Sequence, residues 1–145
     1  MAMKDIMLKI TGRVLSSSPA PEKPNEDAIE FLTPGKFSSR GGITRISYEE
    51  TELSGFEGCR TFITITGDKL KMQRVGKTLA DESVMEFEKG KRYEGVYETP
   101  YGSVGLEILT NDIDVANPEK ISIDYSLLLK GLVESRNKLD IEVLN

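Results

Sequence analysis

Residues 60–75 read RTFITITGDKLKMQRV, and this stretch decides the fold class. Its first half, residues 60–66, is rich in β-branched side chains, which pack well on a pleated sheet. Gly67-Asp68 then fits a two-residue hairpin turn with glycine first. From Lys69 to Val75 apolar and polar residues alternate, which is the period of a half-buried strand. The stretch therefore predicts two antiparallel strands joined by a tight turn.

Outward from this hairpin, the rest of the chain shows the same strand signals between glycine, proline and asparagine turns. The predicted strands are 3–15, 26–32, 43–51, 60–66, 69–75, 84–88, 92–99, 103–110, 121–127 and 139–143. A polar turn is expected at 134–138. Residues 127–133 fit either a strand or a helical turn, and we favour a strand because it prolongs a clean alternation.

The number and spacing of these segments indicate the architecture. Strands joined by tight turns are antiparallel neighbours, and a meander of this length exposes two edges unless it closes. We therefore predict an all-β fold, an antiparallel up-and-down barrel of about 8–10 strands. An open sandwich is the alternative. Residues 1–145 are expected to form a single β-barrel domain with an exposed Ser/Pro-rich loop at 16–25, where three prolines and three serines cannot sustain a sheet ladder.

Composition excludes several classes of function. Histidine is absent and cysteine occurs once, so we expect neither Ser-His-Asp or Cys-His catalysis nor a metal site or cofactor. The net charge of −5 argues against nucleic acid and against an anionic membrane surface as partners. Lys4, Asp5 and Lys9 interrupt the apolar N-terminal segment and argue against a signal peptide, so a cytoplasmic location is expected.

One charged residue stands out in the strand pattern. Arg74 has the same parity as the apolar Leu70 and Met72, so it is expected to point inward, where an unpaired charge is very costly. We hypothesise a polar cluster inside one end of the barrel, made of Arg74, Glu50, Tyr48 and Tyr97. The cluster is either a structural ion pair, or a rim group in water, or an anion-recognising group in a ligand cavity, since a guanidinium matches carboxylate and phosphate geometry.

The segment from Tyr97 to Gly102 is a second candidate. Its proline and glycine supply turn dihedrals, and the tyrosines either pack structurally or line the barrel mouth, with Tyr101 stacking on a ligand. Acidic residues number 24, yet no carboxylate pair stands out as a catalytic dyad. Glu49 and Glu50, which are adjacent in a strand, should face opposite sides. No catalytic residue is therefore assigned.

Three short motifs carry a family resemblance: Tyr48-Glu49-Glu50, Arg74-Val75-Gly76 and the hexapeptide YETPYG at 97–102. With them the chain resembles the YwiB-like family of small, uncharacterised bacterial proteins, from about residue 4 to the end. The resemblance implies a calycin fold, which is a barrel similar to lipocalins. It implies no activity, so it assigns no catalytic residues.

Three hypotheses about function follow. The first is a cytoplasmic barrel that binds a small, anionic ligand at the Arg/Glu/Tyr cluster. The second is a non-catalytic protein-interaction or structural domain, including a homodimer. The third is an enzyme that uses carboxylate and arginine groups, which should show several convergent ionisable residues of perturbed pKa. The sequence favours a binding protein and leaves the question of catalysis open.

Overall fold

The computed structural model describes residues 3–18, 29–50, 58–76, 83–99, 102–129 and 133–144. Ten β-strands account for nearly all of these residues. They are β1 (Lys4–Ser18), β2 (Ile29–Arg40), β3 (Ile43–Glu49), β4 (Arg60–Thr66), β5 (Lys69–Val75), β6 (Ser83–Glu88), β7 (Arg92–Thr99), β8 (Gly102–Asn117), β9 (Lys120–Leu129) and β10 (Val133–Leu144).

The ten strands form one antiparallel sheet in the order β6-β5-β4-β3-β2-β1-β10-β9-β8-β7. Within each half of the chain, consecutive strands are neighbours, and β1 joins the halves by pairing with β10. The seam between β6 and β7 carries no ladder in the described residues. It is bridged beside the turn that follows β6, where Gly90 N–H donates to the carbonyl of Thr110 at 3.0 Å. The predicted all-β barrel is therefore confirmed as a nearly closed ten-stranded barrel, consistent with a calycin-like or lipocalin-like fold.

The two ends of the barrel differ. At one end, here called the turn end, short turns join the strands: the two-residue turns Gly41-Gly42, Gly67-Asp68 and Pro118-Glu119, and a three-residue turn at 89–91. Gly67 has a φ of 60°, which explains why glycine comes first in the turn predicted from the sequence. At the other end, here called the distal end, β1, β3, β5, β7 and β9 finish. The connections that leave this end involve residues outside the described ranges.

Every second residue of a strand faces the inside of the barrel, and most of these residues are apolar. Their side chains fill the turn end and the middle of the barrel. The most deeply buried are Leu8, Ile46, Ile63, Leu70, Phe87, Ile108, Ile121, Ile123 and Ile141. Burial of each contributes about 1.5–3 kcal/mol to folding, so this core dominates the stability of the barrel. The buried ion pair of Arg74 and Glu50 lies towards the distal end.

Two predicted connections are strand in the structure. The Ser/Pro-rich loop was predicted from residue 16, but β1 continues to Ser18, and the rest of that segment lies outside the described residues. The polar turn predicted at 134–138 belongs to β10. Both errors have one cause, since Ser16 pairs with Arg136 and Ser18 pairs with Glu134 beyond a bulge in β1. Pairing between the two terminal strands satisfies backbone groups that local composition does not reveal.

β2 also continues past residue 32, where the predicted strand ends. At Pro34 the strand pairs with β1 alone, because the register with β3 begins at Gly35, and strands tolerate proline at such edge positions. Gly35 is required by close packing. A Cβ atom there would lie 2.6 Å from the carbonyl oxygen of Ser47 and 2.9 Å from Leu8 Cδ1.

β8 is longer than predicted, because register shifts after Thr110 and after Asp114 let the strand continue to Asn117. The favoured strand at 127–133 is present at both of its described ends, with Leu127–Leu129 in β9 and Val133 opening β10. Residues 130–132 lie outside the described ranges. In the part of the chain that is described, no helix is long and apolar enough to cross a membrane.

Candidate functional site

Arg74 and Glu50 form a buried ion pair at the distal end. Arg74 lies near the end of β5 and Glu50 directly follows β3, and Arg74 Nη2 lies 3.7 Å from Glu50 Oε1. Their side chains are only 13% and 2% exposed, respectively. Thr61, on β4 between the two strands, donates its hydroxyl to the same carboxylate oxygen at 2.5 Å. We call these two charged residues the Arg74–Glu50 pair.

Strand register explains why these groups meet. Thr61 lies directly opposite Tyr48 on one side and opposite Arg74 on the other, so the three form a row across β3, β4 and β5. Glu50 comes two residues after Tyr48 and therefore shares its face. Its backbone N–H donates to the carbonyl of Cys59 at 2.9 Å, which extends the pairing between the two chain segments beyond β3.

Glu49 illustrates the opposite parity. Its carboxylate faces outward and lies 3.4 Å from Arg60 Nη1, in a pair whose side chains are 39% (Arg60) and 77% (Glu49) exposed. The two adjacent glutamates thus face opposite sides of the sheet, as the sequence predicts. Glu49 pairs with Arg60 and Glu50 pairs with Arg74. Of the two carboxylates, only that of Glu50 points into the barrel.

The charges of the Arg74–Glu50 pair act on two tyrosines, the buried Tyr48 and the half-buried Tyr125. Burial and the negative charge of Glu50 raise the pKa of Tyr48. Burial also raises the pKa of Tyr125 on β9, while the positive charge of Arg74 acts in the opposite direction. The ring of Tyr125 packs edge-on against Phe87, with 5.1 Å between the ring centroids. Because β5 and β9 are far apart in the strand order, the influence of Arg74 on Tyr125 acts across the inside of the barrel.

Tyr125 also lines a pocket of about 190 Å³ at the distal end, which we call the distal pocket. Its lining comes from β1, β2, β9 and β10: Gly12, Arg13, Val14, Ile29, Tyr125, Asn137, Lys138 and Leu139. The Asn137 side-chain amide donates to Ser135 Oγ at 3.0 Å. Tyr125 therefore lines the pocket and also lies within electrostatic range of Arg74.

The predicted site residues fall into two groups. Arg74, Glu50 and Tyr48 are brought together. Tyr97 lies in β7, where its backbone pairs with Val104, and Tyr101 lies outside the described residues.

Four polar residues of the distal pocket are not among the site residues predicted from the sequence: Arg13, Tyr125, Asn137 and Lys138. Tyr125 does carry a signal, because it continues the inward alternation of Ile121 and Ile123. Asn137 and Lys138 carry none, since they fall in the segment predicted as a turn.

A second pocket, of about 180 Å³, lies beside the seam near the turn end. It is lined by Lys69, Glu86, Glu88, Lys91, Arg92 and Tyr93. Lys69 Nζ lies 2.7 Å from Glu86 Oε1, so part of the charge in this second pocket is already balanced. Within the described ranges, no group of three or more His, Cys, Asp or Glu residues could hold a metal ion.

Comparison with known proteins identifies the family of this chain and a solved structure with a similar fold. A family model described as Domain of unknown function (DUF1934) matches residues 16–141, which is most of the chain. The chain belongs to the DUF1934 family. Among solved structures, this DUF1934 chain is similar to the crystal structure of the ywiB protein from Bacillus subtilis, with a TM-score of 0.68 and 19% identity. The match covers 99% of this chain and 96% of that one.

These comparisons confirm the resemblance to YwiB-like proteins that the sequence motifs indicate. At 19% identity, the structural match shows a shared fold and no more. A search of curated proteins found no match. The function of this DUF1934 domain therefore has to be argued from its own residues.

Proposed function

We propose that this DUF1934 domain binds a small ligand within the distal end of its barrel. The observation that carries the proposal is the distal pocket, because its lining residue Tyr125 also responds to the charge of Arg74 in the buried ion pair. Burying two charges is expensive, and well-packed apolar residues are often as stable in the same place. Stability alone therefore gives little reason for Arg74 and Glu50 at the end of an apolar core.

The chemistry of this region suits recognition of a small molecule. Binding sites are concave and mostly apolar, with a few polar groups that orient the ligand. Val14, Ile29 and Leu139 supply apolar walls, and Tyr125 and Asn137 supply hydrogen-bonding groups. The pocket of about 190 Å³ has room for roughly six waters at about 30 Å³ each, so the expected ligand is compact.

A protein-interaction surface is the second candidate function. On the outer face, Met7 lies directly opposite Pro34 and Leu32 lies opposite Lys9 in the β1–β2 register. Met7 is 42% exposed and Leu32 is 59% exposed. Such an apolar strip could pair with a second copy of the chain. Sedimentation equilibrium separates the two candidates, because an interaction surface predicts a concentration-dependent dimer that Leu32→Lys abolishes.

The ligand-binding proposal is tested by blocking the pocket. Val14 lines it and is 55% exposed, so Val14→Trp should narrow the pocket without unsettling the core. Leu32→Trp places the same ring on the outer face and serves as the matched control. Wild type and both variants are screened against a library of small organic molecules by thermal shift. A ligand at 100 times its Kd stabilises the folded state by about 2.7 kcal/mol.

We expect stabilising molecules for the wild type and for Leu32→Trp, and none for Val14→Trp. If the same molecules stabilise all three proteins equally, binding occurs elsewhere and the proposal is wrong. A screen with no stabilising molecule for any of the proteins also contradicts it.

A further inference from the structure

We infer that the ligand of the distal pocket is an uncharged molecule, whose apolar body lies over Gly12 and whose hydroxyl group is bound by Tyr125 and Asn137. The inference rests on the proposed function and specifies the class of ligand. It starts from strand alternation, which divides the lining of the pocket into side chains that point into the barrel and side chains that leave from its outer face.

Gly12 creates the space that the pocket offers. It shares the parity of the buried Leu8 and Ile10, so it belongs to the inner face of β1. Its register partners are Ile29 of β2 on one side and Leu139 of β10 on the other. A Cβ atom added to Gly12 would have no atom within 4 Å. A residue without a side chain, set between two large apolar ones, thus leaves a gap in the inner wall.

Two hydrogen-bonding side chains lie next to this gap in one row of the sheet. Asn137 of β10 pairs with Val14 of β1 on one side and with Tyr125 of β9 on the other, so the amide and the phenol are neighbours on the inner face. Asn137 Nδ2 donates to Ser135 Oγ at 3.0 Å, which orients the amide, and its carbonyl oxygen can accept from a ligand. Burial raises the pKa of Tyr125, so its phenol keeps its proton and can donate. A hydroxyl group, which both donates and accepts, matches this pair.

The charged residues of the lining point away from the pocket. Arg13 and Lys138 each lie between two inward residues of their strands, so alternation sends both side chains to the outer face. On that face Lys138 lies opposite Asp124 of β9, which gives it an acidic neighbour. The inward side chains of the lining carry no charge at neutral pH: Val14, Ile29, Tyr125, Asn137 and Leu139.

An ion would therefore meet no counter-charge from these inward side chains. Arg74 acts on Tyr125 across the barrel, but its charge already faces Glu50 at 3.7 Å. Transfer of a carboxylate or an ammonium group from water to a site without a partner is costly, whereas an uncharged hydroxyl group needs only a hydrogen bond. A dry apolar cavity of about 150 Å³ in another protein binds benzene, so a pocket of about 190 Å³ suits a body of one ring.

Three probes of nearly equal shape isolate the effect of charge. Benzyl alcohol, benzoate and benzylamine are titrated into the wild-type protein at pH 7 and followed by amide chemical shifts. Benzyl alcohol should have the lowest Kd, by about tenfold or more against benzoate and against benzylamine, because only the two ions must be transferred without a counter-charge.

Filling the gap locates the apolar body of the ligand. Gly12 has the extended backbone of a strand and open space around an added Cβ, so Gly12→Leu should fold and should raise the Kd for benzyl alcohol by about tenfold or more. Gly12→Ala adds only a methyl group and should give an intermediate Kd, which keeps the test independent of how well the larger variant folds. The matched control is Arg13→Leu, which places the same side chain on the outer face and removes a cation. It should bind benzyl alcohol as the wild type does.

Two further variants locate the hydroxyl group of the ligand. Tyr125→Phe and Asn137→Leu remove hydrogen-bonding atoms and keep much of the shape of each side chain. Each should raise the Kd for benzyl alcohol by about fivefold. The Kd for toluene, which has no hydroxyl group, should not rise in either variant.

The outcomes separate the inference from the proposed function. Binding of benzoate or benzylamine as tight as that of benzyl alcohol overturns the inference and leaves ligand binding in place. The same holds if Gly12→Leu and Arg13→Leu change the Kd equally, or if Tyr125→Phe and Asn137→Leu leave it unchanged. Failure of benzyl alcohol to bind the wild type also overturns the inference. The proposed function falls with it only if the unbiased library screen yields no ligand.

Discussion

Arg74 and Glu50 belong to strand segments that are not neighbours in the sheet, yet their charged groups approach to 3.7 Å inside the barrel. β4 lies between the two segments, and its Thr61 donates to the carboxylate of Glu50. The contact exists because both side chains point inward at the same level of the barrel. It turns the distal end of an otherwise apolar core into a polar site.

Removing one member of the Arg74–Glu50 pair should be costly. Arg74→Gln leaves the Glu50 carboxylate buried without its cation and should lower the free energy of unfolding by about 3 kcal/mol. Arg74→Gln combined with Glu50→Gln should lose less than the sum of the two single variants. Urea denaturation measures all three. The exposed Arg60–Glu49 pair is the control, and Arg60→Gln should change stability by at most about 1 kcal/mol. Strict additivity of the Arg74 and Glu50 variants would contradict a coupled pair.

Gly35 should be far less tolerant of a side chain than Gly12. An added Cβ at Gly35 meets the backbone oxygen of Ser47 at 2.6 Å, so β2 and β3 must shift. Gly35→Ala should therefore destabilise the protein by about 1–3 kcal/mol. At Gly12 no atom lies within 4 Å of the added Cβ, so Gly12→Ala should be neutral or slightly stabilising. Thermal denaturation compares the two, and equal effects would show that the close packing of β2 against β3 is wrong.

Asp124 should contribute to stability against acid. Hydrogen bonds from Arg136 and Asn111 lower its pKa in the folded protein, whereas in the unfolded chain the pKa is about 3.9. The folded state then binds fewer protons, so this contribution is complete above pH about 4 and is lost as pH falls through the folded pKa. Asp124→Asn should remove this part of the acid dependence, as measured by urea denaturation from pH 7 to pH 2. The exposed Lys36–Asp5 pair is the control, and Asp5→Asn should change the free energy of unfolding at pH 7 by at most about 1 kcal/mol. Parallel profiles for wild type and Asp124→Asn would contradict the assignment.

Tyr48 and Tyr125 should resist ionisation at alkaline pH. Burial raises both pKa values above the unfolded value of about 10, so the folded state retains protons that the unfolded state loses. Stability should therefore fall as pH rises above about 10. Phenolate absorbance of the native protein should lag behind that of the protein in urea, and Tyr125→Phe should weaken the alkaline loss of stability. Coincident titration curves in native and unfolded protein would rule out burial of these phenols.

Much of the fold is predictable because it depends on local alternation. Residues 60–75 form β4 and β5 with the predicted bounds, since their strand propensity, turn and parity agree. The prediction fails where pairing is non-local. Ser16–Ser18 have the composition of a loop and become strand only because β10 lies beside them, and Pro34 remains in β2 because only β1 pairs with it at that point.

The candidate site is likewise predictable where it depends on local alternation and unpredictable where it depends on non-local pairing. Parity places Arg74 on an apolar face, and the cost of an unpaired buried charge then calls for an acidic partner such as Glu50. The influence of Arg74 on Tyr125 depends on how the sheet closes into a barrel, and the opposition of Val14 to Asn137 depends on the register between β1 and β10. Neither relationship leaves a trace in local sequence.

The central claim is that a small ligand occupies the distal pocket, and intermolecular nuclear Overhauser effects from a molecule selected in the thermal-shift screen test it most directly. The account predicts contacts from that molecule to the methyl groups of Val14 and Leu139 and to the ring of Tyr125. These contacts should vanish in Val14→Trp and persist in Leu32→Trp. Contacts to the outer-face methyl groups of Met7 or Leu32 instead, or unchanged contacts in Val14→Trp, would contradict it.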